Sequence, residues 1–159
     1  MKNSVPQVPR AAANMAAPTA AESAGLLRRL AALFYDSLVV VALWLVATVP
    51  FVWIANGAPQ GAFTRVAFQL YLLAIAFGFF GWFWVHGGQT LGMRAWRLKV
   101  VDDTGHTVTW ARASRRFLAA ILSLLCAGIG LLWVMHDRDR RAWHDRLSGT
   151  WVVVVPKNR

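Results

Sequence analysis

One carboxylate of this chain falls where a carboxylate is costly. Asp36 follows Arg28 and Arg29 and opens a stretch, Ser37 through Ala55, that holds no charge. On a helix it sits about 10 Å of rise beyond Arg29. If the arginines mark the headgroup level, Asp36 lies inside hydrocarbon. An ionised Asp at the centre of a spanning helix costs about 2.5–3.5 kcal/mol, and protonation or an opposite charge relieves that cost. Two roles follow. As a functional group Asp36 is a proton or cation site. As a structural group it pairs with an arginine and fixes helix packing. With arginines this near, pairing is the favoured role, and a water or a third side chain is expected to bridge the gap to Arg29, which shares its helix face.

A second cluster lies near the other end of the sequence. His144-Asp145 invites a metal or acid–base reading, and His136, Asp137 and Asp139 are close by. A metal site needs three or four converging ligands. Here the candidates are interleaved with Arg138, Arg140, Arg141 and Arg146, so salt bridges are expected and no metal. Asp145 reads as a helix cap or as an arginine partner that folds the C-terminal segment against the membrane. His86 ends an apolar run and titrates near neutral pH when unperturbed, yet such a residue commonly just sits at the interface. The lone Cys126 excludes an intramolecular disulfide and reads as a small packing residue. There is no nucleophile elbow, phosphate loop or dinucleotide fingerprint, and no pair of carboxylates within one span. The expectation is a non-enzyme without a cofactor.

The elements that must position these groups are apolar and long. Apolar residues make up 57% of the chain and charged residues 15%, against about 25% charged in soluble domains. A span needs roughly 20 apolar residues. Segments at about 33–55 and 66–85 meet that length, and Ala74 and Gly78 in the second form a small-xxx-small pair. Asn56 to Gly61 is a turn-rich loop between them. A third run, 117–135, is only just long enough and is interrupted by Gly128 and Gly130. Residues 1–24, rich in Ala, Pro and Ser, lack large apolar side chains and read as a disordered tail. Residues 25–156 read as the membrane domain and 157–159 as its end.

The charge balance is +10, with 17 Lys and Arg against 7 Asp and Glu. These cations flank apolar runs instead of forming one basic face, which favours a membrane protein over a nucleic-acid binder. Lys and Arg are retained on the cytoplasmic side. Arg28 and Arg29 therefore place the N-terminus inside, Arg65 alone marks the outer loop, and Arg94, Arg97, Lys99, Arg112, Arg115 and Arg116 place the middle segment inside. A full third crossing would put the arginines after Met135 outside. A re-entrant hairpin or a surface-lying helix avoids that conflict and is preferred. Arg97 to Trp110 reads as a β-hairpin turning at Asp102-Asp103-Thr104-Gly105, and Trp151 to Val155 as a further strand able to join it. The tryptophans near span ends, such as Trp53, Trp82, Trp84 and Trp133, read as interface aromatics.

Three stretches resemble the RDD family of bacterial membrane proteins. Arg29-Leu-Ala-Ala-Leu-Phe-Tyr-Asp36 looks like its first signature. Gly88-Gln-Thr-Leu-Gly92-Met is similar to its Gly-x-Thr-Leu-Gly-Lys segment, with Met93 where a lysine is common; Arg94 is adjacent. Arg141-Ala-Trp-His-Asp145 through Gly149-Thr150-Trp-Val-Val looks like its closing pattern. The resemblance implies a multi-pass membrane protein whose defining arginine and two aspartates match Arg29, Asp36 and Asp145, with Arg28 as the alternative arginine and Arg94 and His144 as secondary candidates. It also implies a possible cation–proton antiport, which has been suggested for some members. The expected fold is an all-α membrane protein with two to three transmembrane helices and a small cytoplasmic β-hairpin element. So few helices enclose little space, so beyond the lipid bilayer a homo-oligomer or a membrane partner protein is expected, and no nucleic acid.

Overall fold

The computed structural model describes Pro18 and residues 23–156. Most of the expected 1–24 tail lies outside the described residues. Its last two residues do not: Ser23 bridges Val153, and the Ala24 N–H donates to the Val152 carbonyl at 2.8 Å.

Two long helices dominate: α1, Leu26–Ile54, and α2, Ala62–His86. At 1.5 Å per residue both exceed the roughly 30 Å of a hydrocarbon core, and both are apolar enough to cross it. Gly57, Gly61 and Gly88 hold positive φ at the turns around them, which suits residues without a Cβ. The two helices touch through aromatics and side chain to backbone bonds. Trp44 Nε1 donates to the Leu72 carbonyl at 2.8 Å, and Phe51 packs against Phe68 and Tyr71. Little of either helix is buried by the rest of the chain. Ala74 and Gly78 both face outward, so the small-residue pair does not make this contact. Gly81 does the equivalent work elsewhere, since a Cβ there would come within 2.9 Å of the Trp110 ring.

The core sits at one end of the helix pair. After α2 come a short helix, α3 (Leu91–Ala95), and a strand, β1 (Leu98–Asp102). Helix α4, Trp110–Leu125, begins at Thr109, whose hydroxyl accepts from the Arg112 N–H. Ala127 and Gly128 then take left-handed φ values of 55° and 75°. The chain turns by 108° into α5 (Ile129–Leu132) and a single 3₁₀ turn, Trp133–Met135. Helix α6, Trp143–Ser148, ends at Gly149 in the left-handed region, and β2, Thr150–Val154, follows. β2 pairs antiparallel with β1, Leu98 opposite Val154 and Asp102 opposite Thr150. Leu98, Val100, Val108, Ala113 and Val152 form the buried centre of this cap.

The expected helical membrane protein with a small sheet is what is found. The third apolar segment turns back, because the strand after it pairs with the strand before it. The hairpin is the correction. Residues 106–109 form no strand: Asp102 Oδ1 accepts from the Thr104 and His106 N–H groups and closes the turn early, Val108 is buried in the core, and Thr109 starts a helix. The C-terminal strand takes the place expected for His106–Trp110. Cys126 is likewise exposed at the end of α4, not packed.

Candidate functional site

Helix α1 turns one stripe toward the cap: Arg29, Ala32, Asp36 and Val40 are its buried residues. Arg28 is exposed, so Arg29 alone enters. Each of its three guanidinium nitrogens donates a hydrogen bond. Nε donates to the Ala24 carbonyl at 2.9 Å, Nη1 to Asp145 Oδ2 at 2.5 Å and Nη2 to the Arg140 carbonyl at 2.9 Å. From the other side Arg116, on the buried face of α4, donates through Nη1 to Asp145 Oδ1 and to Thr150 Oγ1. Asp145 has no exposed surface, and it also accepts from the Ala142 N–H at 2.9 Å, closing the start of α6. One carboxylate thus clamps two cations from helices far apart in sequence.

The electrostatics follow from that geometry. Burial alone would push the Asp145 carboxyl up, but Arg29 and Arg116, with smaller help from His144 and the Ala142 N–H, hold it well below the usual carboxylate range. His144 lies with Nε2 3.6 Å from Asp145 Oδ1. Burial pushes it down to about 4; Asp145 opposes this, and Arg116 and Arg29 reinforce it. At neutral pH His144 is therefore uncharged. The clamp holds two positive charges against one negative charge.

Asp36 is in a different arrangement. Its carboxylate accepts from the Thr90 hydroxyl at 2.5 Å and from the Gly92 N–H at 2.8 Å. Thr90 is the N-cap of α3 and also accepts from the Met93 N–H. A Cβ on Gly92 would strike the Ala32 carbonyl oxygen and come within 2.9 Å of the Asp36 carboxyl carbon. Only glycine lets α3 approach this closely. Among the described residues Asp36 makes no salt bridge. No direct ion pair joins Arg29 and Asp36 among the described residues; the two share a face of α1 and hold different parts of the cap. Arg94 is exposed and does not stand in for the missing lysine, whereas Met93 is buried.

Asp36, Arg29, Arg116, Thr90, Met93 and His144 all line one cavity of about 190 Å³, open on one side and otherwise largely apolar. Outside it, Arg146 pairs with Asp137 and Asp139, so those carboxylates are engaged as the arginine-rich spacing suggested.

The three stretches read as signatures meet here. The first and second join at Asp36, Thr90 and Gly92; the first and third join at Arg29 and Asp145. A family model for the RDD family matches residues 23–149. The chain belongs to the RDD family. It is also similar to the uncharacterized protein RP437 of Rickettsia prowazekii (strain Madrid E), 33% identical over 92 residues. That match takes in 57% of this chain, and the chain spans about half the length of that relative. No solved structure matches it.

Arg116 is the site residue that sequence reasoning passed over. It was one of six basic residues in the middle segment, all counted as topology signals. A helical wheel separates it from them: Ala113, Arg116, Phe117 and Ser123 share the buried face of α4, whereas Arg115 is exposed.

Proposed function

We propose that this RDD-family protein is a multi-pass protein of the bacterial cytoplasmic membrane, not an enzyme, with its N-terminus and cap on the cytoplasmic side. Asp36 serves as its proton or cation site. The excess of Lys and Arg flanking the cap end of both long helices supports the orientation. One observation carries the role of Asp36: it is a buried carboxylate on a cavity wall with no cationic partner among the described residues, while the arginine closest in sequence on its own helix face is committed elsewhere. Arg29 and Asp145 act as structure. The unburied flanks of α1 and α2 support lipid, a second copy or a membrane partner as their cover.

The test is ion-driven pH change in proteoliposomes, wild type against Asp36→Asn at matched, verified insertion. Flux under a sodium, potassium or lithium gradient that disappears in the variant supports transport. No flux from well-folded wild type removes it.

A second reading has its own observation. Asp36 accepts two hydrogen bonds at the start of α3, so it ties α3 to α1 as a purely structural group would. In that case the chain is an accessory or scaffold protein. Asp36→Asn then loses assembly instead of flux.

A further inference from the structure

Among the described residues, three cavity-lining side chains that are more than nine-tenths buried carry a polar atom with no hydrogen-bond partner: Trp84 Nε1, Arg116 Nε and Ser123 Oγ. A buried donor without an acceptor costs about 1–3 kcal/mol, and two of these atoms can only donate. They belong to α2 and α4, which pack together, and Arg116 lies over the Trp84 ring, 5.1 Å from its centre. The Trp84 and Arg116 donors therefore lie together, and Ser123 lines the same cavity about 10 Å further along α4. His144 Nδ1, on the same wall, is also without a partner.

The charge beside the two donors is positive. Arg29 and Arg116 face Asp145, and His144 is neutral, which leaves one positive charge in excess at the clamp, balanced over the whole cavity by the carboxylate of Asp36. Asp36 is the other acidic group on the wall, and it is bound by Thr90 and Gly92. The rest of the lining is apolar, including Phe80, Phe117 and Ile121. Leu33 on α1 and Leu124 on α4 also line the cavity, yet they are 39% and 62% exposed, so they form its rim. Leu33 belongs to a helix long and apolar enough to cross a membrane and Leu124 to the bent apolar segment, so the opening lies between two apolar elements. An engineered cavity of about 150 Å³ takes benzene. A cavity of about 190 Å³ takes a small polar head and the first few methylenes behind it, but not a glycerophosphate with two chains.

We propose that this cavity binds the carboxylate head of a single-chain amphiphile, a long-chain fatty acid, which enters sideways between Leu33 and Leu124 and accepts hydrogen bonds from Trp84 and Arg116. The inference does not depend on ion transport, and its residues other than the cavity wall itself are not those of the transport test.

The test is saturable binding of a radiolabelled long-chain fatty acid to the full chain in nanodiscs, with three competitors: the unlabelled acid, its methyl ester and phosphatidylglycerol. One site per chain, displaced by the acid and by neither of the others, is the expected result. Trp84→Phe removes one of the two donors and keeps an aromatic ring; binding weakens about tenfold. Leu124→Trp blocks the rim from an exposed position without touching a donor, and binding is lost. It serves if Trp84→Phe fails to elute as a single species. Absence of saturable binding overturns the proposal, and the free donors then bind water. Equal displacement by the ester overturns it in favour of a neutral acceptor. Equal displacement by phosphatidylglycerol overturns it in favour of general lipid contact. Unchanged binding in both variants places the site elsewhere.

Discussion

Replacing Asp145 by Asn leaves two buried guanidinium groups facing each other without a counter-charge. Breaking a buried pair in this way costs about 3–5 kcal/mol, and the loss is expected as a large fall in thermal midpoint of the detergent-solubilised protein. Arg116→Ala leaves Asp145 paired with Arg29 and strands no charge, so its loss is expected to be smaller. His144 gives a pH signature. Its folded value of about 4 lies below its ordinary 6.5, so between these pH values the unfolded chain binds a proton that the folded one does not. Stability therefore falls as pH drops through that window, by about 3 kcal/mol across all of it. His144→Asn is expected to flatten thermal stability measured between pH 7 and 4.5. Asp145 adds no slope there: its folded value is depressed, so its contribution is present above the unfolded carboxylate value and is lost only in stronger acid. Asp36 and Arg29 were legible as residues, because charge beside a long apolar run is conspicuous. Their partners were not. Thr90 lies 54 residues from Asp36 and Asp145 116 from Arg29, and no periodicity connects such distances.

At the level of elements, the two spans could be read from uncharged length alone, and the break in the third segment from Gly128 and Gly130. The hairpin could not. His106 to Trp110 has strand-forming residues, yet strand propensity yields to context, and here the cap at Thr109 and the burial of Val108 decide. The real partner of β1 comes from the other side of the bent third segment. That pairing is directly checkable: in a Cys126→Ser background, Lys99→Cys and Val153→Cys stand opposite each other, and oxidation in membranes is expected to join them. Failure to crosslink in folded protein would place the two strands apart. Gly92→Ala is expected to separate α3 from α1 by a few tenths of an ångström or more. Its readout is a loss of thermal stability greater than that of Gly78→Ala, whose Cβ meets nothing.

For the whole molecule, the compact part is the cap and the exposed part is the helix pair. A purified species in mild detergent is expected to be larger than one chain, or to recover a partner on crosslinking in membranes, because α1 and α2 leave most of their surface uncovered. A strictly monomeric, active species would argue that lipid alone covers it. The order in which the cap is assembled has its own consequence. Arg29 emerges from the ribosome early, Arg116 later, and Asp145, which neutralises both, later still. Until it arrives the two cations have no home in the fold and favour the aqueous side. A message or ribosome that stops short of Asp145 yields two well-formed spans joined to an open, cationic end. The cap can therefore close only once the last signature stretch has been made, whatever the spans have already done.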